Sequence, residues 1–204
     1  LPSAPFREAT THHFKSVLRA LGLYLLLTMP FYVATIYFVT YNTTIVGIPI
    51  SDALLYNTAV MAVMACAVIF SGWFSDYIGH KSSSGVVAFV ILITAYPIFR
   101  GLDTDSVTQI FALQTLFAFL VGLYLGPTPA LLAELFPTNI RYTGISMAYN
   151  ITVALFGGTA PMVCIWLFKQ FGSNSAIGIY VMIAALLSIC SLIGYKDKSW
   201  VRLE

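Results

Sequence analysis

Two short polar segments hold the residues of this sequence whose types and spacing could do chemistry. The first, Gly72–Lys81, places Asp76 between two glycines, and the second contains Glu134 and Arg141. Carboxylates can pair with a cation or lie against the positive N-terminal end of a helix. Because both segments separate long apolar stretches, we expect Asp76, Glu134 and Arg141 to form a charge cluster that fastens helix ends together. An ordinary polar turn is the alternative for the first segment.

Glycines support the first segment as a tight turn. Gly72 lets a neighbouring backbone approach, and Gly79 allows a turn conformation that other residues rarely adopt. The residues predicted for this charged site are Gly72, Asp76, Gly79, Lys81, Glu134 and Arg141.

Uncharged polar side chains form a second set of candidates, because they lie within the apolar stretches. If these stretches cross a membrane, polar groups within them are costly and mark either a cavity or a contact between helices. Aromatic rings in such a cavity can bind a quaternary ammonium group through cation–π contacts. A belt at the membrane interface is the alternative for Tyr37. The candidates for lining a substrate cavity are Tyr32, Tyr37, Asn57, Gln114, Tyr124 and Asn150.

Catalytic and metal chemistry are not predicted. Hydrolysis needs a nucleophile beside a base, or paired acids or metal ligands at one depth, and the middle of each predicted span holds none of these. Asp103 and Asp105 occupy a short loop without further calcium ligands. The three cysteines are scattered among apolar residues and fit neither a disulfide framework nor a zinc site. We therefore expect no enzyme, no cofactor and no metal.

Composition shows which solvent surrounds the elements that position these residues. The chain is 59% hydrophobic and 9% charged, whereas soluble domains carry about 25% charged residues. The mean hydropathy is +0.87. The net charge of +2 and the absence of a basic stripe argue against a nucleic-acid partner. Lipid is the surrounding that fits.

Six stretches are long enough to cross a bilayer, which takes about 20 apolar residues. They predict an all-α membrane protein, since the runs are too continuous for the strands of a barrel. The predicted spans are Val17–Tyr41, Asp52–Phe74, Ser84–Phe99, Ser106–Ala133, Gly144–Phe168 and Ser175–Tyr195. Residues 1–16 are expected to form an interfacial linker, 17–195 the six-helix unit and 196–204 a cytoplasmic tail. The missing initiator methionine and the final Leu203-Glu204, which resembles a cloning remnant, predict a piece of a longer chain.

The basic residues predict an orientation. With six spans both termini lie on one side, and excess Lys and Arg mark the cytoplasmic side. The other side carries only Arg100 and Lys169. The terminal side carries Arg7, Lys15, Arg19, Lys81, Arg141, Lys196, Lys198 and Arg202.

The two polar segments also carry a family resemblance. Gly72–Lys81 is similar to the G-x-L-a-D-r-x-G-r-k loop that follows the second helix of each half in the major facilitator superfamily. Glu134–Thr138, followed by Ile140–Gly144, resembles the loop after the tenth helix in its metabolite:proton symporter family, and its proline and betaine carriers in particular. Tyr77 and His80 stand where that loop usually has basic residues.

The resemblance implies that the six helices are the seventh to twelfth of a twelve-helix transporter, built as two inverted three-helix repeats. It implies proton-coupled uptake of a small organic solute such as proline or glycine betaine in a bacterial inner membrane. Carboxylates such as α-ketoglutarate, shikimate or citrate are the alternative substrates. The partner is the missing N-terminal half, or a second copy if the chain is a half-size transporter. A binding module without transport also stays open.

Helix-breaking residues are expected inside the fourth and fifth spans. Pro127 and Pro129 free backbone carbonyls in the fourth span, and Gly157-Gly158 weaken the fifth. In a rocking transporter they are hinges; in a static bundle they are packing kinks.

The first prediction concerns transport by this chain alone. A proton symporter needs a carboxylate that protonates within the membrane, and the spans hold none at mid-depth. Proteoliposomes containing only this chain should therefore accumulate no proline or glycine betaine under a pH gradient. Accumulation above that of empty liposomes would contradict the prediction.

Overall fold

The computed structural model describes residues 10–195, and these residues form six apolar helices that are long enough to cross a membrane. The described residues contain no strand, so the predicted fold class is confirmed. The calls on most of the linker and on the tail lie outside the described residues. We label the spans in chain order as α1 (Phe14–Thr44), α2 (Ile50–Ile78), α3 (His80–Gly101), α4 (Val107–Glu134), α5 (Arg141–Phe171) and α6 (Ser175–Leu192).

Apart from the start of α6 at Ser175, the helices begin and end at different residues than predicted. α3 starts at His80 rather than Ser84, because Ser82–Ser84 continue the helix directly after the turn at Gly79. α6 stops at Leu192, and Gly194 follows with a φ of 70°. Polar residues at a helix end lower the local hydropathy without interrupting backbone hydrogen bonds, so hydropathy places the start of α3 too far inward. At the end of α6 the apolar Ile193 and Tyr195 raise the hydropathy beyond the last helical residue, so the predicted end lies too far outward.

Interruptions divide α1 and α4 after the same number of helical residues. α1 runs as α-helix over Phe14–Tyr32 and again over Phe38–Thr44, with a π-helical turn between. α4 runs over Val107–Leu125 and again over Thr128–Glu134. In both spans 19 helical residues precede the break and 7 follow it. Pro30 lies just before the break in α1, which the sequence analysis did not predict.

The fifth span is broken as well. α5 passes from Arg141–Thr152 through a π-helical turn, Val153–Gly157, to Ala160–Phe171. The Gly158 amide donates to the Val153 carbonyl at 2.8 Å, which closes the wide turn. The expected irregularities in α4 and α5 are therefore present at the predicted glycines and prolines.

Helix packing follows an internal symmetry. The most extensive pairs are α3 with α6, α2 with α4, α1 with α5, α1 with α6, and α3 with α4. Exchanging the first three helices for the last three leaves this set of pairs unchanged. Because α1 and α4 cross in opposite directions, the chain consists of two three-helix repeats of inverted topology, as in half of a major facilitator fold.

The α2–α4 contact depends on two glycines. A Cβ at Gly122 would lie 2.5 Å from the Met64 carbonyl oxygen, and a Cβ at Gly126 would lie 2.6 Å from the Gly72 amide nitrogen. Helices in lipid associate through close packing of small residues rather than through the hydrophobic effect. These positions therefore let the α2 and α4 backbones approach.

The second prediction tests that approach. Gly122→Ala should lower the free energy of unfolding by about 1–3 kcal/mol, because the backbone at Met64 must move. Gly85→Ala is the matched control, since its Cβ would meet only Leu192 Cδ1 at 3.6 Å. Thermal melting in detergent measures both variants, and equal melting temperatures would show that the α2–α4 contact has room to spare.

Candidate functional site

The first polar segment is a one-residue turn between α2 and α3. Gly79 lies between the two helices with φ 90° and ψ 141°, a backbone conformation that L side chains rarely adopt. The turn places Asp76 and His80 one helical turn apart in sequence. The Asp76 side chain is 70% exposed, while that of His80 is only 14% exposed. We call this end of the bundle, with the α2–α3 and α4–α5 connections, the motif end.

His80 joins the two acids at the motif end. Its Nδ1 lies 2.6 Å from Glu134 Oε1, and its Nε2 lies 3.5 Å from Asp76 Oδ1. The Tyr195 hydroxyl donates to Glu134 Oε2 at 3.2 Å, and Lys81 Nζ donates to the Tyr195 carbonyl at 2.5 Å. Glu134 is buried. The contacts connect α2, α3, α4 and the residues that follow α6.

Arg141 does not join this cluster. Within residues 10–195 it forms no salt bridge with Asp76 or Glu134. Its Nε instead donates to the Phe136 carbonyl at 3.4 Å, inside the α4–α5 connection. His80 thus takes the place expected for Arg141, because the turn at Gly79 brings the imidazole against Glu134 while Arg141 folds back onto its own loop.

Three predicted cavity residues are buried between helices. The Tyr37 hydroxyl donates to Asn174 Oδ1 at 2.7 Å. Gln114 exchanges two amide hydrogen bonds with Asn42, at 2.9 and 3.1 Å. The Tyr124 hydroxyl lies 2.7 Å from Ser188 Oγ. These side chains connect α1, α4 and α6 in the interior of the bundle.

The other three predicted cavity residues lie nearer the surface, on α1, α2 and α5. The Tyr32 ring packs against Gly157, where a Cβ would lie 3.0 Å from Tyr32 Cε2. Asn57 Nδ2 donates to the Thr35 carbonyl at 3.2 Å. Asn150 is exposed and donates to the Ser146 carbonyl of its own helix at 2.8 Å. The structure does not join the three through their hydrogen bonds.

The predicted hinge residues lie at the breaks themselves. Pro127 is the residue before the last section of α4, and Pro129 is exposed within the first turn of that section. Gly157 ends the π-helical turn of α5, and Gly158 follows it. All four residues therefore lie at or directly beside a break in the α-helix.

A second cluster lies at the opposite end, where sequence reasoning missed it. Asp103 Oδ1 accepts from the backbone and the side-chain amides of Asn174, at 2.9 and 2.8 Å, and Ser173 Oγ donates to Asp103 Oδ2. Asn174 in turn accepts from Tyr37. We call these residues the Asp103 cluster. The signal available in the sequence was a polar Ser-Asn pair directly before a helix, since Asp103 was weighed only as a calcium ligand.

The described residues contain no group of three His, Cys, Asp or Glu side chains placed to hold a metal ion. Both clusters instead consist of polar side-chain contacts between helix ends. Such contacts are non-covalent, so they can hold the helix ends together and can also separate without a covalent reaction.

Comparison with known proteins assigns the family. The family model for sugar (and other) transporters matches residues 6–198. The chain belongs to this transporter family of the major facilitator superfamily. Its members are transporters and not enzymes, which confirms the expectation that the chain is no enzyme. No solved structure matches this transporter chain.

Several named transporters are similar in sequence to the chain. The chain is 26% identical to the ectoine/proline transporter of Corynebacterium glutamicum over 92% of its own length. It is 31% identical to an inner membrane metabolite transport protein of Escherichia coli over 93% of its length. It is 30% identical to the citrate-proton symporter of Salmonella typhi over 80% of its length. The transporter chain spans between 37% and 44% of the length of these relatives.

The third prediction tests the Asp103 cluster. Asn174→Ala should lower the free energy of unfolding by about 1–3 kcal/mol, because it leaves the buried Tyr37 hydroxyl without its acceptor. Asn150→Ala is a matched control, since this exposed amide bonds only its own helix and should change stability by no more than about 0.5 kcal/mol. Chemical or thermal unfolding in detergent compares the two, and equal losses would refute a structural role for the cluster.

Proposed function

We propose that this chain is the C-terminal half of a secondary transporter that takes up a small organic solute, such as proline or glycine betaine, together with protons. The observation that carries the proposal is the pair of inverted three-helix repeats in a chain that matches the transporter family over residues 6–198. Transporters of this fold bind substrate near the midplane between two such halves. The ectoine/proline transporter is among the relatives.

One wall of the substrate cavity is proposed to come from α1, α2 and α5. α2 and α5 leave most of their surface uncovered in this half, as a surface that meets another half would. Tyr32, Asn57 and Asn150 are the polar side chains proposed to face the solute there. Tyr37, Gln114 and Tyr124 are proposed to position that wall through the hydrogen bonds they make inside the bundle.

Alternating access requires contacts that open at one end of the bundle while the other end stays closed. The His80–Glu134–Asp76 contacts and the Asp103 cluster lie at opposite ends and suit these two roles. The breaks at Pro127 and at Gly157-Gly158 are proposed as the points where α4 and α5 bend. The excess of basic residues at the motif end supports placing it, with both termini, in the cytoplasm of a bacterium, with the protein in the inner membrane.

Proton coupling is assigned to the part of the transporter outside this chain. The acids of the described spans, Asp52, Asp76 and Glu134, lie near helix ends, whereas a coupling carboxylate responds to substrate at mid-depth. The partner that supplies it is proposed to be an N-terminal six-helix half. A second copy of this chain is the alternative partner. A homodimer of this kind would hold no carboxylate at mid-depth in its described spans, so this alternative does not explain proton coupling.

A carboxylate substrate is the second candidate. It is favoured by the 30% identity with a citrate-proton symporter. The exposed Asn150 amide and the aromatic Tyr32 suit a zwitterion at least as well, since an amide can bind a carboxylate and a ring can bind an ammonium group.

The fourth prediction tests substrate and coupling together. Proteoliposomes with the full-length protein should accumulate labelled proline or glycine betaine under an inward proton gradient, and a protonophore should abolish this accumulation. Accumulation of citrate alone would support the carboxylate carrier, and accumulation that resists the protonophore would contradict proton coupling.

Two matched variants of α5 test whether Asn150 faces the substrate cavity. Asn150→Ala should reduce uptake roughly tenfold, as expected for the loss of one substrate hydrogen bond. Gln170→Ala, which removes an exposed amide near the other end of α5, should leave uptake unchanged. Equal uptake by the two variants would remove Asn150 from the cavity.

A further inference from the structure

A long apolar groove lies between α1, α5 and α6 on the motif-end side of the membrane. Its volume is about 620 Å³, and aliphatic and aromatic side chains form most of its walls. Leu18 and Leu25 contribute from α1, Leu155 and Phe156 from α5, and Leu187 from α6.

The groove follows from how α5 bends. Before its π-helical turn α5 packs against α1 and not extensively against α6, whereas after the turn its last section packs against both α1 and α6. α5 and α6 therefore diverge toward the motif end, while α1 and α6 stay close. At the floor of the groove Gly22 lies so near Ser191 that a Cβ there would overlap the hydroxyl.

Two cations stand at the mouth of the groove. Lys15 and Arg19 both line it and are four residues apart on α1, so they share one face of the helix. Within the described chain neither forms a salt bridge. The Arg19 guanidinium lies 5.9 Å from the centre of the Tyr195 ring, a cation–π contact that holds it beside the mouth.

We propose that this groove binds an anionic phospholipid, with the phosphate headgroup on Lys15 and Arg19 and an acyl chain between α1, α5 and α6. Charge complementarity points to this occupant, because positive side chains lie only at the headgroup end and apolar walls follow below. A zwitterionic lipid offers the same acyl chain, but its headgroup carries a compensating cation.

The length of the groove agrees with one leaflet. From Lys15 to Leu25 the helix rises about 15 Å, at 1.5 Å per residue. Half of a hydrocarbon core of about 30 Å is also about 15 Å. An acyl chain that starts at the level of Lys15 therefore ends where the groove ends.

Lipid titration of the purified full-length protein tests the site. Native mass spectrometry and thermal melting would compare dioleoyl phosphatidylglycerol with dioleoyl phosphatidylcholine. We expect phosphatidylglycerol to remain bound and to raise the melting temperature, while phosphatidylcholine does much less. Lys15→Gln/Arg19→Gln should weaken phosphatidylglycerol binding roughly tenfold or more, because basic residues near the surface each attract anionic lipid.

Further variants separate this site from general effects of charge and folding. Lys15→Arg/Arg19→Lys should retain binding, since both cations remain. Cys190→Phe, which fills the groove and keeps both charges, should weaken it. Arg100→Gln/Lys169→Gln loses the same net charge at the opposite end and should bind normally. Equal binding of the two lipids, full binding by Lys15→Gln/Arg19→Gln or by Cys190→Phe, or equal losses in both charge-neutralised pairs would overturn the proposal.

Discussion

The need to satisfy polar groups inside hydrocarbon governs this bundle. Lipid offers no hydrogen-bond partner, so each polar side chain at depth must find one within the protein. Among the described residues, Ser84 Oγ is the buried side-chain atom left without a hydrogen-bond partner. The amide pair of Gln114 and Asn42 shows the solution, since each residue satisfies the other across α4 and α1. The same constraint selects which helix faces can meet.

That constraint also explains where the helices can break. A break frees backbone carbonyls, and a neighbouring hydroxyl or a widened turn must satisfy them. Thr128 donates to the Tyr124 carbonyl next to the break in α4, and the π-helical turn of α5 closes through the Gly158 amide. The breaks in α1 and α4 occupy equivalent places in the two repeats. Each repeat therefore has a first helix that is interrupted after 19 helical residues.

The largest clusters of polar contacts lie at the two ends of the bundle. The His80–Glu134 contact and the Asp103 cluster each connect elements that lie far apart in the sequence. Between them the helices pack through aromatic rings, such as Phe99 edge-on to Phe117 with centroids 5.1 Å apart, and through the close α2–α4 approach. Within the described residues, the bundle is thus fastened by polar contacts at both ends and packed through uncharged side chains between them.

Local composition determined much of this protein. The six spans, the breaks at Pro127 and Gly157-Gly158, and the acids at one end follow from hydropathy and from glycine and proline chemistry, which act within a few residues. Tertiary structure decided which side chains meet. Tyr37 bonds Asn174, 137 positions later, and Glu134 pairs with His80 rather than Arg141. Helices that are apolar on every side carry no periodic signal for their rotation, so only the packing of the two repeats fixes those partners.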